Sequence, residues 1–545
     1  MKEKKLIGLT LSAAMLVSMA AGCSQSSSTG SSAPGSSSGT EPSSSEVAEK
    51  SSSAASGPAS GEKTHLSILA WDLGLDGQLP LGDNYWCDWI RESFGDPNNI
   101  ELEWVVMPRW EEVTTLNVWM AGKDAPDIVY TYDVNVVQNY ISQGGLTDLT
   151  EYIAEYGKNL SAFVGDETME YGKFDGRQMV IPSPRPVSGI VGSSIRGDWL
   201  DKLGLSNPAT TEEWYNTMIA FRDQDPGGLG EQTIPCGMGM QEISFGYFNM
   251  LYSFVDPSLT EKDLTLTYPF LYPGYKDGVR FLNQCYNEKL ISPEFALDND
   301  CSKMYSDITN GYVGFFTQNL LTGYRPGSYF DNMAENVPGA YYIACDPFTN
   351  SEGKHPKLSN QPYGKFIMVP AFSKSAKEAV MYIDWLLSDN NLMRLSLGDE
   401  GVHYTLTDGI YDYNTLYDGA DKLSANNNYE YRFIVEDVWY GSKEATFKNW
   451  TSSYHSEQAD TQFTMAMTDS RRDPWFFPYF KKPIESEAQY ATSMQDKYKE
   501  MFTTLFMCSP QEFDSRYDSL VNEFMSLYGK EVCEERAKVW AETME

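Results

Sequence analysis

Residues 64–72 read THLSILAWD and residues 100–108 read IELEWVVMP. In the first, Leu66, Ile68 and Ala70 alternate with Ser67 and Leu69, the period of a strand, ending at Trp71. Pro108, which has no N–H to donate, stops the second. Between them residues 84–95, NYWCDWIRESFG, fit a helix closed by Gly95. Residues 109–123, RWEEVTTLNVWMAGK, place Trp110, Val113, Leu116 and Met120 at helical spacing, and APDIVY (125–130) is a short apolar strand after a proline turn. Strand, helix, strand, helix, strand predicts a parallel sheet with helices on its faces.

Further along, helices announce themselves by their caps. TTEEWYNTMIAF (210–221) opens with Thr210 and Glu213, and SAKEAVMYIDWLL (375–387) with Ser375 and Glu378. SPQEFDSRYDSLVNEFMSLYG (509–529) has Ser509 as cap, Pro510 in the first turn and Gly529 as the expected end. The segment GRQMVIPSPRPVSG (176–189) runs from an apolar strand into Pro182, Pro184 and Pro186. Such a strand cannot sit in the middle of a sheet, and it reads as an extended crossover between lobes.

The N-terminus carries Lys2, Lys4 and Lys5, an apolar run from Leu6 to Gly22, and then Cys23. Small residues Ala20, Ala21 and Gly22 precede the cysteine, the pattern of a secretory signal. Residues 24–60 hold 17 serines and too little apolar surface to offset chain ordering. Their expected root-mean-square reach as a flexible tether is about 30–37 Å. The chain beyond the tether is too long for one typical core, so two domains are expected.

The formal net charge is −35. Such a field repels nucleic acid, and no basic stripe offsets it. The eight cysteines show irregular spacing and no C-x-x-C, which points to buried thiols and not to a zinc or redox motif. Four histidines, no H-E-x-x-H, no P-loop and no G-x-G-x-x-G leave catalysis without a motif. The one G-x-S-x-G, Gly35 to Gly39, lies in the serine tether. Acid pairs such as Glu111–Glu112 fall in helical first turns, where they complement the helix dipole. No cofactor and no metal are expected.

In order along the chain, AGKDAPDIVY (121–130), GGLTDLTEYI (144–153), GRQMVIPSP (176–184), RGDWLDKLGLSNPATTEEW (196–214), GYVGFF (311–316) and GKFIMVPAFSKSAKEAVMYIDWLLSD (364–389) resemble the extracellular solute-binding proteins of family 1. These are the lipoprotein receptors of bacterial sugar ABC importers, and GDEGVHYTLTDG (398–409) resembles a subgroup common in Gram-positive bacteria. The segment before Cys23 resembles a lipobox, departing from it at Ala20, where leucine is frequent.

The resemblance implies an α/β, two-lobed periplasmic-binding-protein-like fold with an interlobe ligand cleft and hinge crossovers. It implies residues 1–22 as signal peptide, 23–61 as tether, 62–185 with 370–435 as lobe 1, and 186–369 with 436–545 as lobe 2. The IPSPRP prolines would lie on the first hinge, FIMVPAF on the second, and a third crossing near 420–450. Cys23 would be acylated, holding a monomer on the outer face of the cell membrane. The implied partners are an oligosaccharide and the importer's permease subunits, with no nucleic acid and no catalysis. The same architecture holding a peptide or another polar metabolite is a second expectation, and an exported glycosidase a third.

A sugar offers an apolar C–H face to Trp and Tyr rings and a hydroxyl edge to Asp, Asn and Arg. Strand ends facing the cleft are where such groups belong. The candidates are Trp71 and Asp72 after the first strand, Arg109 and Trp110 after the second, and Tyr130 and Asp133 after the third. From the other lobe come Arg185, Arg196, Tyr247, Phe248 and Asn249, with Tyr363 and Tyr404 added. Asp133 also suits a helix cap, and Arg196 an ion pair with Asp198 or Asp201.

Overall fold

The computed structural model describes residues 63–74, 78–185, 189, 191–240, 247–319, 323–324, 328–413, 417–422, 428–436, 438–453, 460–476 and 479–543. The signal, Cys23 and the serine tether lie outside the described residues, as does Pro186 of the crossover.

The opening segments fold as their periodicity requires. β1 (Thr64–Asp72) pairs β2 (Ile100–Pro108) in parallel, residue for residue from Thr64↔Ile100 to Asp72↔Pro108. Between them α1 (Tyr85–Ile90) starts where the Asn84 side chain accepts the N–H groups of Trp86 and Cys87, and a wider π turn carries it to Gly95. α2 (Glu112–Gly122) follows, then β3 (Val129–Thr131) and α3 (Val134–Ser142). Ile68 bridges Ile128 in parallel, so β3 joins β1. The parallel expectation ends there. The Tyr363–Met368 strand runs antiparallel to both β3 and Ile181–Pro184, because the chain returns to this sheet from the other lobe.

Ile181–Pro184 is the outer strand of that group, where Pro182 and Pro184 forfeit no ladder bond on the open side. One apolar core then spans Leu66–Met107, Val136–Ile181, Phe366–Leu395 and Tyr429–Val435. Phe366 to Val369, from the FIMVPAF segment, are buried in it. The second crossing is 359–362, ahead of the expected 369/370 boundary.

The second core is built on four strands in the order Tyr342–Cys345, Val191–Arg196, Val313–Asn319, Ile234–Cys236. Helices Thr211–Gln224, Tyr275–Asn287, Glu485–Met507 and Phe513–Phe524 cover it. The Asn283 side-chain amide reaches the carbonyls of Leu505 and Cys508, each at 2.8 Å, and so closes the end of the long Glu485–Met507 helix.

Three local expectations change. Ser375 does not cap its helix by its side chain, and its hydroxyl instead donates to the His65 carbonyl across the core. Gly529 does not end the last helix pair, because a π turn over Met525–Gly529 carries the chain into Lys530–Thr543. Of the apolar positions on α2 only Leu116 is buried, while Trp110 is 68% exposed and Val113 is also open.

The two cores are clasped where the chain crosses. Arg185 N–H donates to Pro362 O at 3.0 Å, Gly189 N–H to Ser470 O at 2.6 Å, and Ser359 N–H to Trp475 O at 2.8 Å. The third connection runs through the Lys443–Ser453 helix, beyond the residue-436 boundary. Ala445 packs with Tyr404 and Tyr440 beside the first core, and Phe447 against Phe463 and Met467 beside the second.

A β-carbon at Gly364 would stand 2.1 Å from the Glu436 carboxylate, whereas one at Gly122 meets nothing nearer than 4.0 Å. Gly364→Ala is therefore expected to lower stability by about 1–3 kcal/mol, as over-packing does. Gly122→Ala is expected to be neutral or stabilising. Urea unfolding of the two variants beside the wild type checks the contrast.

Candidate ligand-binding site

β1, β2 and β3 all end toward the same edge of the first core, and the first two crossings leave from beside it. The geometry of parallel strands delivers side chains from successive C-terminal ends to one place. Trp71 comes from β1, Arg109 from the turn after β2, and Tyr132 from the turn after β3. Lys365 comes from the returning strand and Ser183 from the proline strand. Segment 429–436 brings Tyr429, Glu430 and Glu436.

Arg109 lies over the Trp71 ring with its guanidinium carbon 4.1 Å from the centroid, and 5.4 Å from that of Tyr132. Trp71 and Tyr132 are themselves stacked at 5.8 Å. One guanidinium nitrogen bonds Glu112, whose carboxyl is buried beneath it. Burial raises the Glu112 pKa against the opposing pull of Arg109.

Under this layer runs a chain of hydrogen bonds whose direction follows from its ends. The Tyr132 hydroxyl donates to Glu436 Oε2, so the oxygen of Tyr132 is left to accept from the Tyr429 hydroxyl at 2.8 Å. Tyr429 in turn accepts from Lys365 Nζ at 3.1 Å. The ammonium is wholly buried among the rings of Tyr429, Tyr130, Trp71 and Tyr132, at 4.3–5.8 Å from their centroids. Burial alone would depress its pKa, but Tyr429, Glu436 and Glu430 outweigh burial and raise it, so it stays charged.

Glu436 Oε1 accepts from the Ser183 hydroxyl at 2.7 Å and the Lys365 amide at 3.1 Å. Burial pushes this carboxyl up, and Lys365, Arg185, Tyr132 and Ser183 together bring it below the ordinary value. Glu430 differs. It takes the Trp71 amide at 2.8 Å and lies 2.5 Å from the Tyr130 hydroxyl, yet burial keeps its pKa raised. Among the described residues, Trp71 Nε1, Glu430 Oε1, both polar atoms of the Asn428 side chain and Arg432 Nη1 are buried without a hydrogen-bond partner.

The expected residues divide. Trp110 stands exposed at this edge, with Arg185 half-buried and Arg109 largely buried. Trp71 and Tyr130 belong to it but are fully covered. Asp72 accepts the Gly74 amide, and Asp133 caps α3 by accepting the Asn135 amide. Tyr363 packs on Tyr171 and Tyr479 at the crossing.

The rest are elsewhere, committed to packing. Arg196 is buried in the second core, forked onto Asp198 at 2.7 and 2.8 Å and stacked on Trp199. Tyr247 is buried beside Cys236, and Phe248 stacks on Tyr252 at 3.7 Å. Asn249 accepts the Leu358 amide, and Tyr404 packs on Tyr411 in a small separate cluster. The sequence reading missed Tyr132, Ser183, Lys365, Tyr429, Glu430 and Glu436. A lysine inside the apolar run GKFIMV was the one local signal.

With its two α/β cores and a polar, aromatic group at the strand ends beside their crossings, this chain is similar to extracellular solute-binding proteins. No protein-family model matches it. It is 24% identical to the lipoprotein LipO of Bacillus subtilis over 421 residues, 75% of each chain. It is 28% identical over 247 residues to the fructooligosaccharide ABC transporter substrate-binding protein FusA of Streptococcus pneumoniae, 41% of this chain and 43% of that one. Its fold matches that of an HMO-binding, ABC-transporter-associated solute-binding protein from Bifidobacterium longum infantis, with a TM-score of 0.61 at 14% identity, covering 88% of this chain and 98% of the other.

Glu436→Gln removes the charge that three donors converge on, and is expected to cost about 1–3 kcal/mol near neutral pH. A carboxyl with a depressed folded pKa contributes stability above its unfolded value, here about 4.5, and loses it as pH falls through the folded one. The gap in melting temperature between wild type and variant should therefore shrink below about pH 4.5. A gap constant from pH 7 to pH 3 would contradict this assignment.

Proposed function

We propose that the protein is a receptor that captures an oligosaccharide between its two lobes and delivers it to an ABC importer. The observation that carries the reading is the assembly of Tyr132, Arg109 and Trp110 at the strand ends beside the crossings, with Arg109 laid over the covered ring of Trp71. Rings supply faces for a sugar's C–H side, and guanidinium donors supply its oxygen edge. FusA, similar over part of the chain, is named for fructooligosaccharides, and the Bifidobacterium protein of like fold for HMO binding. Both names support the class of ligand and leave its identity open.

The same reading covers how the receptor is held and moves. Acylation of Cys23 would tether a monomer to the outer membrane face, with the serine segment as spacer and the permease subunits as its docking partner. The connections at Arg185 and at 359–362 would serve as hinges for closure. Ligand can drive closure only by binding the closed arrangement better than the open one. Nothing in this role calls for bond-making chemistry.

Two outcomes are expected. A glycan that binds should shrink the radius of gyration in solution scattering. Trp110→Ala should weaken that glycan with no change in melting temperature, since the ring is 68% exposed. Trp71→Ala, from a fully covered position, should cost about 3–5 kcal/mol of stability as well. In cells, Cys23→Ser should release the protein into the medium, read by fractionation. A wild type that meets a broad glycan panel in a calorimeter without response would end the sugar reading.

A further inference from the structure

Arg109 lies beside Tyr132, and Arg185 follows the proline strand whose Ser183 bonds Glu436, the carboxylate that also holds Tyr132. Arg109 bonds Glu112 through one nitrogen, and among the described residues its other nitrogens have no protein partner. The Arg185 side chain forms no hydrogen bond with any described residue, and its neighbour in charge is Glu436, which also holds the Tyr132 hydroxyl. Arg109 covers the Trp71 ring, the surface on which a neutral sugar would otherwise stack. Moving it away would take from the buried Glu112 the arginine it is bonded to. A ligand approaching this floor therefore meets the guanidinium and not the indole.

We infer that the saccharide bound here carries a carboxylate, and that Arg109 and Arg185 are the groups that read it. This inference rests on the receptor reading above. A guanidinium anchored over an aromatic ring and by one nitrogen on a carboxylate keeps further N–H donors, and a guanidinium suits a carboxylate better than a neutral hydroxyl does.

The local charge favours an anion. Arg109, Arg185, Lys365 and Arg432 gather around Glu112, Glu430 and Glu436, and burial pushes Glu112 and Glu430 toward their neutral forms. The nearby Asp72 and Asp133 are turned to their own backbone amides. The net charge of −35 opposes an anion at long range, but salt screens that field beyond about 8–10 Å, so the two arginines dominate at contact.

The experiment is calorimetric titration of the full chain with oligosaccharides of galacturonate, glucuronate and mannuronate. Each is measured beside its methyl ester and its neutral parent sugar. At least one uronate should bind, with its ester and parent about tenfold weaker or more, and its affinity should fall as salt rises. Arg185→Gln and Arg109→Gln should each cost the uronate about tenfold. Because Arg109→Gln strands Glu112, the double variant Arg109→Gln/Glu112→Gln is measured alongside, with melting curves to confirm folding. An ester or neutral parent that binds as tightly as its uronate overturns the inference and leaves the receptor reading standing. If no glycan of any class binds, the receptor reading falls and takes the inference with it.

Discussion

The Glu436 carboxylate is the constraint around which this edge of the molecule is organised. Ser183, the Lys365 amide and Tyr132 all donate to it, and they come from three different stretches of chain. Gly364 leaves the space it occupies. A carboxylate drawn out of water is costly unless its lone pairs are used and its charge is met, and both conditions hold here. Lys365 meets the charge from below through two tyrosine hydroxyls. The ends of β3, the proline strand and the returning strand are thereby held in one register where the chain passes between cores.

That arrangement sets a rigid floor beside the connections proposed as hinges. The floor is over-determined: stacked rings, a caged ammonium and a directed hydrogen-bond chain leave it one arrangement. The crossings are held instead by a few backbone bonds, such as Arg185 to Pro362 and Gly189 to Ser470. Few bonds mean a small cost to rotate about them. The prolines of 181–184 belong to this division, because an edge strand with missing donors recruits no further strand across the gap.

Part of the site was legible because β-strand alternation and the parallel turn-back are local rules. They brought Arg109 and Trp110 to the strand ends and placed Trp71 there too. They could not say that Arg109 would lie on Trp71, since that contact joins the turn after one strand to the end of another. Arg196 and Tyr247 carry the same residue types as a binding site, but Asp198 and Cys236 occupy them. Lys365 interrupts an apolar strand, and only its neighbours turn it into the centre of a network.

By itself the sequence determined the α/β class, the strand and helix order at the start of the chain, the proline crossover and the overall acidity. Each follows from a period, a cap, a missing N–H or a count, and so needs no partner far along the chain. Tertiary structure alone decided which strand returns antiparallel, where the second crossing lies, and which charges are buried together. Those depend on segments as much as 300 residues apart, such as Tyr130 and Glu430, meeting in a space where water no longer screens them.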